Sequence, residues 1–256
     1  MRVCLLASGS KGNSVYVETG STRLLVDAGL PAIELTRRLA SINVAPTDLD
    51  AILITHEHTD HVRGAGTLAR KLKIPLLASY PTGRELAAIT RNVQVVEFES
   101  GYAFTYRDIV VDPFPITHDA CDPVGYLLES GEGRIGIATD LGIATRLVRD
   151  KLQRCRCIVL ESNHDEDMLQ NGPYPWHLKQ RIRSRHGHLS NNESAELLDD
   201  LIHDGLEGLF LAHLSEVNND PRIARHTIAE RLRHQQVCSP LLAVGDQYRA
   251  SQVLQI

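Results

Sequence analysis

The chain has 256 residues, of which 43% are hydrophobic and 23% are charged, and its formal net charge is −5. These values describe an ordinary globular chain that is long enough to bury a large core without disulfides. The net negative charge excludes a positive field over the whole surface, so a nucleic acid would have to bind at a local basic patch.

The cysteines and the start of the chain indicate a cytoplasmic protein. The five cysteines are odd in number and their spacing fits no disulfide framework, so we expect reduced thiols. The apolar run at the start is shorter than the about 7–15 residues of a signal-peptide core, and it predicts a first strand instead. No segment approaches the about 18 apolar residues of a membrane span.

The first half of the chain alternates short apolar runs with turn-rich loops. We expect strands at residues 2–7, 14–18, 23–26 and 51–54, and helices at residues 31–42 and 67–73. In the first helix, the spacing of Ile33, Leu35 and Leu39 predicts the buried face. Arg37 and Arg38 are expected on the opposite side.

The second half repeats this order. We expect strands at 109–111, 114–116, 126–129, 134–138, 157–160, 208–212 and 241–244, and helices at 194–202 and 221–233. Ser190 and Glu193 predict a capping box before the first of these helices. Strands interleaved with helices indicate an α/β fold. We expect one domain over residues 1–256, with an insertion at about 163–189, where glycine and prolines precede a basic run.

Six strand-like runs are each followed by a side chain that can bind metal or transfer a proton. These residues are Asp27, His56, His118, Asp140, Glu161 and His213. In α/β sheets, ligands bind at the carboxyl ends of strands. Any one of these residues alone would more often be a cap or a turn residue, but together they indicate a shared site.

The densest cluster lies between His56 and His61, where three histidines and one aspartate fall within six residues. His56 and His58 are two residues apart, so an extended backbone directs both side chains to one side. Asp60 and His61 follow where the chain is expected to turn into a helix. Because imidazole and carboxylate groups suit zinc, manganese or iron, this loop predicts a site for two metal ions.

The motif His-x-His-x-Asp-His after a strand resembles the signature of the metallo-β-lactamase superfamily. The resemblance covers nearly the whole chain, because His118, Asp140 and His213 follow in the order of that family's later ligands. It implies a four-layer αββα sandwich made of two similar halves. It also implies a hydrolase with two divalent ions, Zn²⁺ or Mn²⁺.

The same resemblance divides the ligands into two sets that share one residue. His56, His58 and His118 would hold one ion, Asp60, His61 and His213 would hold the other, and Asp140 would bridge them. Asp60 is expected to be catalytic as well as a ligand. Asp27 matches the family's aspartate after an early strand and is expected to hydrogen-bond the ligand loop.

Glu161 and His188 resemble a pair in the tRNA 3′-processing branch of the superfamily, where the glutamate orients a histidine that protonates the leaving oxygen. We therefore expect both residues to be catalytic, because the departing alkoxide of a phosphodiester must be protonated. The N–H groups at the start of the helix after Ser190 are a further place for a phosphate. The alternative is that His188 belongs only to the capping region.

Longer stretches resemble the WalJ/YycJ-like subfamily. They are Ser-Gly-Ser-Lys-Gly-Asn-Ser at 8–14, Glu-Ser-Asn-His-Asp at 161–165, Gly-Pro-Tyr-Pro at 172–175, Gly-His-Leu-Ser-Asn at 187–191 and Leu-Ala-His-Leu-Ser at 211–215. This resemblance implies a 5′→3′ DNA exonuclease linked to DNA repair, so DNA is the expected partner.

Eight polar residues are candidates for substrate binding: Lys11, Asn13, Asn163, His164, Lys179, Arg181, Arg183 and Arg185. The last four alternate along the chain, so an extended segment would direct them to one side, where they would contact about two to four phosphates. A solvated polar surface is the alternative. Tyr174 and Trp176 could stack on a base, although packing inside their own segment is favoured.

Two other classes of function stay open at this point. A small-molecule phosphodiesterase acting on a cyclic phosphate would need Glu161 and His188, whereas an ester, thioester or lactone hydrolase would not obviously need them. A binding protein without turnover is disfavoured because all seven ligand positions are filled.

Overall fold

The computed structural model describes all 256 residues and contains fourteen strands and nine α-helices. The strands are β1 (Arg2–Ala7), β2 (Ser14–Thr19), β3 (Thr22–Val26), β4 (Ala51–Leu53), β5 (Leu76–Ser79), β6 (Val95–Phe98), β7 (Phe104–Tyr106), β8 (Ile109–Pro115), β9 (Val124–Ser130), β10 (Gly133–Ala138), β11 (Cys157–Glu161), β12 (Gly208–Ala212), β13 (Leu241–Val244) and β14 (Leu254–Gln255). The α-helices are α1 (Ala32–Ser41), α2 (Thr59–Val62), α3 (Ala65–Leu72), α4 (Tyr80–Glu85), α5 (Arg146–Leu152), α6 (Glu166–Asn171), α7 (Trp176–Ile182), α8 (Asn191–Leu201) and α9 (Pro221–Arg233). Short 3₁₀ helices lie at Pro46–Asp48 and Leu86–Ala88.

The strands form two sheets of seven strands each. The first sheet has the order β14-β1-β2-β3-β4-β5-β6, and the second has the order β13-β12-β11-β10-β9-β8-β7. In the first sheet β3 to β6 are parallel and the remaining pairs are antiparallel. In the second sheet β10 to β13 are parallel and the remaining pairs are antiparallel. The two sheets therefore share one plan.

Alternating side chains give each sheet two apolar faces. In β1, Val3 and Leu5 point into a core of 23 buried residues between the two sheets. Cys4 and Leu6 point the other way, into a core of 21 buried residues shared with α1 and α3. A third core, of 21 buried residues, packs the second sheet against α5, α8 and α9. The layers are helices, sheet, sheet and helices, which confirms the predicted αββα sandwich.

The parallel strands position the site. The residues at or within three positions of the ends of β3, β4, β10, β11 and β12 are Asp27, His56, Asp140, Glu161 and His213. His118 follows the end of β8 in the same way. Because the parallel strands of one sheet end at one edge, these side chains converge where the edges of the two sheets meet.

The predicted burial of α1 is wrong for two residues. Ile33 is 81% exposed, whereas Arg38 is only 4% exposed. Leu35 and Leu39 are buried as predicted, and Arg38 lies between them on the same helical face because it is three residues after Leu35. Its buried guanidinium is stabilised by two backbone carbonyl oxygens, at 2.7 and 3.0 Å.

Most of the other predicted elements are present, with shifted ends. The predicted helix 67–73 is α3, which covers Ala65–Leu72. The strands predicted at 109–111 and 114–116 are one strand, β8. Pro113 is tolerated inside β8 because β7 pairs only with the first three residues of β8, so the missing N–H of Pro113 leaves no residue of β7 unpaired.

The segment 163–189 contains α6, α7 and their connecting turns, between β11 and α8. The capping box of Ser190 and Glu193 is present at the start of α8. That the segment is an insertion in a single domain stays a prediction.

No α-helix of the structure is both long and apolar enough to cross a membrane. All five cysteines are free thiols. Burial raises the pKa of the Cys155 thiol to about 12, so this buried thiol serves as an apolar packing group.

Candidate metal centre

The loop between β4 and α2 holds four candidate metal-binding side chains: His56, His58, Asp60 and His61. Helix α2 begins at Thr59, so Asp60 and His61 project from its single turn. The loop packs closely against Gly29, where a Cβ atom would come within 1.6 Å of the Asp60 carbonyl oxygen. Only glycine permits this approach, so the turn after β3 and the loop after β4 are fixed to each other.

Three strand-end residues have a left-handed backbone conformation. The φ angles of Asp27, Asp140 and His213 are 63°, 57° and 57°. For residues other than glycine this conformation costs about 1–3 kcal/mol and persists only where the surroundings hold it. Strain of this kind at three converging residues is typical of a functional site.

The candidate side chains meet in overlapping groups whose ligand atoms lie within 4.8 Å of one another. The groups are His56, His58 and His118; Asp60, His61 and His213; His56, His61 and Asp140; and Asp140, Glu161, His188 and His213. Asp140 lies between the first two groups. Its Oδ2 is 3.2 Å from Nε2 of His61, and its Oδ1 is 3.7 Å from Nε2 of His118.

Buried polar atoms at the centre of these groups lack hydrogen-bond partners. They are Nε2 of His56, Oδ2 of Asp140 and Nε2 of His213. Such atoms are costly unless something binds them. Converging imidazole nitrogens and carboxylate oxygens are ligands that divalent transition metals prefer, so these residues fit divalent metal binding.

The electrostatics of the cluster favour a cation as well. Burial lowers the pKa of the His213 imidazole, but the carboxylates of Asp140, Asp60 and Glu161 outweigh burial and raise this pKa to about 10. Burial holds the pKa of His56 well below its usual value. The cluster therefore combines a neutral imidazole with carboxylates that attract positive charge, which is the set of groups that a metal ion requires.

Glu161 is fully buried and orients two histidines at once. Its Oε1 accepts hydrogen bonds from Nδ1 of His188 and Nδ1 of His213, both at 2.9 Å. Its Oε2 accepts from the backbone N–H groups of Leu141 at 2.7 Å and Leu189 at 3.1 Å. Burial raises the pKa of Glu161, but the two histidines outweigh it and lower the pKa to about 2. The ionised carboxylate holds a proton on each Nδ1, which leaves both Nε2 atoms free for other partners.

Asp27 has the corresponding contacts in the first sheet. Its Oδ1 accepts a hydrogen bond from the Thr55 N–H at 2.9 Å. Its Oδ2 accepts from the Thr55 hydroxyl at 2.8 Å and from Nδ1 of His61 at 2.7 Å. These hydrogen bonds to the ligand loop are the ones expected from the sequence, and they leave Nε2 of His61 directed at Asp140.

The backbone of His213 is held from both sides by buried side chains. Its N–H donates to Oγ of Ser8 at 2.6 Å, and its carbonyl oxygen accepts from Nδ2 of Asn163 at 2.8 Å. Asn163 lines the cavity, as a substrate-binding residue would, but its amide N–H is already used inside the protein. These two hydrogen bonds stabilise the left-handed conformation of His213.

A cavity of about 410 Å³ opens in front of these groups. One wall consists of candidate metal-binding side chains and His188; they are His58, Asp60, His118, Asp140, His188 and His213. A second part of the lining comes mainly from the segment 163–189; it includes Tyr174, Leu178, Arg181, Ile182 and His186. A volume of this size suits one small molecule or one unit of a polymer.

Six of the eight predicted substrate-binding residues do not line this cavity, and three of them are held elsewhere by contacts inside the protein. Nζ of Lys11 donates to the Tyr248 hydroxyl at 2.8 Å and pairs with Glu216 at 2.6 Å. Asn13 is buried, and its Nδ2 lies 3.1 Å from Nε2 of His61, inside the ligand loop. His164 is buried behind the site.

The predicted basic stripe is wrong because the segment is not extended. Lys179 and Arg181 belong to α7, where alternate residues point about 200° apart. Nζ of Lys179 donates to two backbone carbonyl oxygens of the preceding turn, at 2.8 Å each. Arg183 and Arg185 are exposed and do not line the cavity. Arg181 alone lines it, and its Nε donates to Asp119 at 2.7 Å.

Sequence reasoning missed Ser8 and a buried amide network. In the network, Oγ of Ser162 donates to Asn191 at 2.6 Å, and Nδ2 of Asn191 donates to Asn219 at 2.9 Å. The network ties the end of β11 to the starts of α8 and α9. Ser8 follows the end of β1, so the strand-end rule that found the histidines could have found Ser8 as well.

Two sheets between helix layers, with a histidine and aspartate site where the parallel strands end, define a metal-binding hydrolase fold. The sequence profile of the beta-lactamase superfamily domain matches residues 22–213. The chain therefore belongs to the beta-lactamase superfamily.

Two sequence relatives identify the subfamily within this superfamily. The chain is 39% identical to "Exodeoxyribonuclease WalJ" of Streptococcus pneumoniae serotype 2 over 234 residues, which are 89% of this chain and 87% of that protein. It is 38% identical to "Exodeoxyribonuclease YycJ" of Bacillus anthracis over 233 residues, which are 89% of this chain and 88% of that protein. These similarities confirm the WalJ/YycJ-like subfamily.

A solved structure shows the same fold at low sequence identity. Zinc-bound PqqB of Methylobacterium extorquens superposes with a TM-score of 0.76 at 16% identity, over 100% of both chains. At this identity the likeness concerns the fold alone.

Proposed function

We propose that this chain is a metal-dependent 5′→3′ exodeoxyribonuclease that acts in DNA repair in the cytoplasm. The observation that carries the proposal is His188, whose Nδ1 is held by buried Glu161 at 2.9 Å on the cavity wall beside the candidate metal ligands. A proton donor next to a metal centre is what cleavage of a phosphodiester requires. DNA as the substrate is supported by the two relatives that are named exodeoxyribonucleases.

In this proposal two divalent ions, zinc or manganese, are held by seven side chains. One ion would be held by His56, His58 and His118, the other by Asp60, His61 and His213, and Asp140 would belong to both sets. Bound ions would supply Lewis-acid polarisation of the phosphate and activation of a water molecule at neutral pH. The unpaired buried atoms at the centre of the group support this assignment. Asp60, which also lines the cavity, orients the attacking water.

His188 acts as the general acid. Hydrolysis forms a bond from water oxygen to phosphorus and breaks the bond from phosphorus to the leaving deoxyribose oxygen, which must gain a proton. His188 supplies this proton from Nε2, and the Glu161 carboxylate stabilises the imidazolium until the proton leaves. Arg181 lines the cavity and is paired with Asp119, so its guanidinium would contact an anionic substrate in exchange for that carboxylate.

A second candidate is a small-molecule phosphodiesterase acting on a cyclic phosphate. The cavity volume of about 410 Å³ favours it, because this volume matches one small ligand. The same His188 and Glu161 pair would serve this reaction.

Degradation of 5′-phosphorylated double-stranded DNA with Mn²⁺ or Zn²⁺ tests the proposal, with Asp140→Ala as the control. We expect stepwise shortening from the 5′ end by the wild type and none by the variant. Shortening from the 3′ end would contradict the polarity. No cleavage of DNA, together with cleavage of bis-p-nitrophenyl phosphate, would favour the small-molecule phosphodiesterase.

A further inference from the structure

The cavity has two walls of different chemistry. The wall of metal-binding groups is polar, whereas the second wall presents the ring of Tyr174 and the aliphatic side chains of Leu178 and Ile182. Arg181 lies among these residues, and its guanidinium is paired with the carboxylate of Asp119, which also lines the cavity. A ligand that matches both walls has an anionic end and a flat apolar end.

Tyr174 sits on a rigid segment. It lies between Pro173 and Pro175, whose rings fix the backbone on both sides. Gly172 packs against α6 so closely that a Cβ atom would come within 2.5 Å of a carbonyl oxygen. Lys179 donates to the Gly172 carbonyl oxygen at 2.8 Å, which ties α7 back to the same turn. The backbone that carries Tyr174 into the cavity lining is therefore fixed before any ligand binds.

Trp176, two residues further along, differs from Tyr174. Its side chain is 59% exposed and does not line the cavity. Tyr174 is half-buried and lines it. The sequence offered both aromatic residues as base-stacking candidates, and the structure separates them.

We infer that Tyr174, with Leu178 and Ile182 beside it, forms the platform on which the base of the terminal nucleotide stacks. The phosphate then faces the metal-binding wall and Arg181. Stacking tolerates every base, because each has a π-face. The cavity of about 410 Å³ matches the size of one nucleotide, and in this inference the terminal base enters it unpaired. This inference rests on the proposed nuclease function.

The test removes the platform and the base separately. Two 5′-phosphorylated duplexes with frayed 5′ ends are used, one ending in thymidine and the other in an abasic residue. The readout is kcat/KM for release of the first residue by the wild type, Tyr174→Ala, Tyr174→Phe and Trp176→Ala. We expect the wild type to prefer the thymidine end by about tenfold.

Tyr174→Ala should lose this preference, because its kcat/KM should fall for the duplex that ends in thymidine and stay unchanged for the duplex that ends in the abasic residue. Tyr174→Phe and Trp176→Ala should keep it. The inference would be overturned if Tyr174→Ala cleaved both duplexes more slowly by the same factor. It would also be overturned if the wild type cleaved both duplexes equally well. This second comparison needs only the wild type, so it decides even if Tyr174→Ala does not fold. If the wild type shortens neither duplex, the proposed function itself fails, which is a distinct result.

Discussion

The two halves of the molecule share a sheet plan but contribute to the site in different ways. The first sheet supplies its candidate ligands from one loop, in which His56 and His61 are only five positions apart. The second sheet supplies His118, Asp140 and His213 from separate strand ends. A local cluster can be recognised in the sequence, whereas a set assembled from distant strands depends on the topology.

Each half also orients its histidines with one buried carboxylate. Asp27 serves a single histidine, His61, and the loop around Thr55. Glu161 serves His213 and His188 together. In the proposed mechanism the first carboxylate therefore acts on metal binding alone, whereas the second joins metal binding to proton transfer.

We expect the largest effects on metal binding and nuclease activity when these two carboxylates are replaced. Asp27→Asn should weaken metal binding by about 10–100-fold, because His61 loses its orienting hydrogen bond. Glu161→Gln should lower nuclease activity by on the order of 10³-fold, because both His213 and His188 lose theirs. Activity measured against metal concentration distinguishes them, since excess metal should restore Asp27→Asn and not Glu161→Gln. If excess metal restored the activity of both variants equally, the two carboxylates would not differ in the way proposed for the two halves.

Proton transfer can be separated from metal binding at His188. His188→Ala should lower kcat by on the order of 10²-fold or more while the protein keeps its metals. Metal content and single-turnover cleavage measure the two effects, and His177→Ala on α7 is a matched control because His177 is exposed and does not line the cavity. Unchanged turnover in His188→Ala would remove this residue from the mechanism.

The strained backbone of His213 gives a test specific to the second half. Asn163→Ala should weaken binding of one metal ion by about tenfold and leave the other unchanged, because only the ligand set with His213 loses its support. Ser8→Ala should act in the same way. Metal titration by calorimetry resolves the two sites. If Asn163→Ala instead lost DNA binding and kept both metal affinities, Asn163 would be a substrate-binding residue, as predicted from the sequence.

The smallest expected effect concerns the basic residues of the segment 163–189. Arg181→Ala should weaken DNA binding and reduce the slope of log binding constant against log salt by about 1, as for one lost phosphate contact. Arg183→Ala and Arg185→Ala should change neither quantity. Arg146→Ala, far more exposed on α5, controls for net charge. Equal effects of the three substitutions on DNA binding would show that the three arginines contact DNA together, as the basic stripe was predicted to do.

The sequence was sufficient for the fold class and for the candidate ligands that the structure brings together, because the loop cluster and the strand ends depend on local spacing. The sequence failed where the interpretation of a pattern depends on the backbone conformation. Alternate residues such as Lys179 and Arg181 lie on one side of an extended strand, but they point in different directions in α7. It also missed Ser8, whose hydrogen bond to His213 spans 205 positions. The position of Ser8 after β1 is a local signal, but its contact with His213 is not.

Anomalous diffraction from crystals of the protein grown with Zn²⁺ or Mn²⁺ tests the central claim most directly. We predict two peaks: one among His56, His58 and His118, and one among Asp60, His61 and His213, both adjacent to Asp140. Such a result would show that the local and the assembled ligand sets form one dinuclear centre. A single peak, or a second peak away from Asp140, would contradict it.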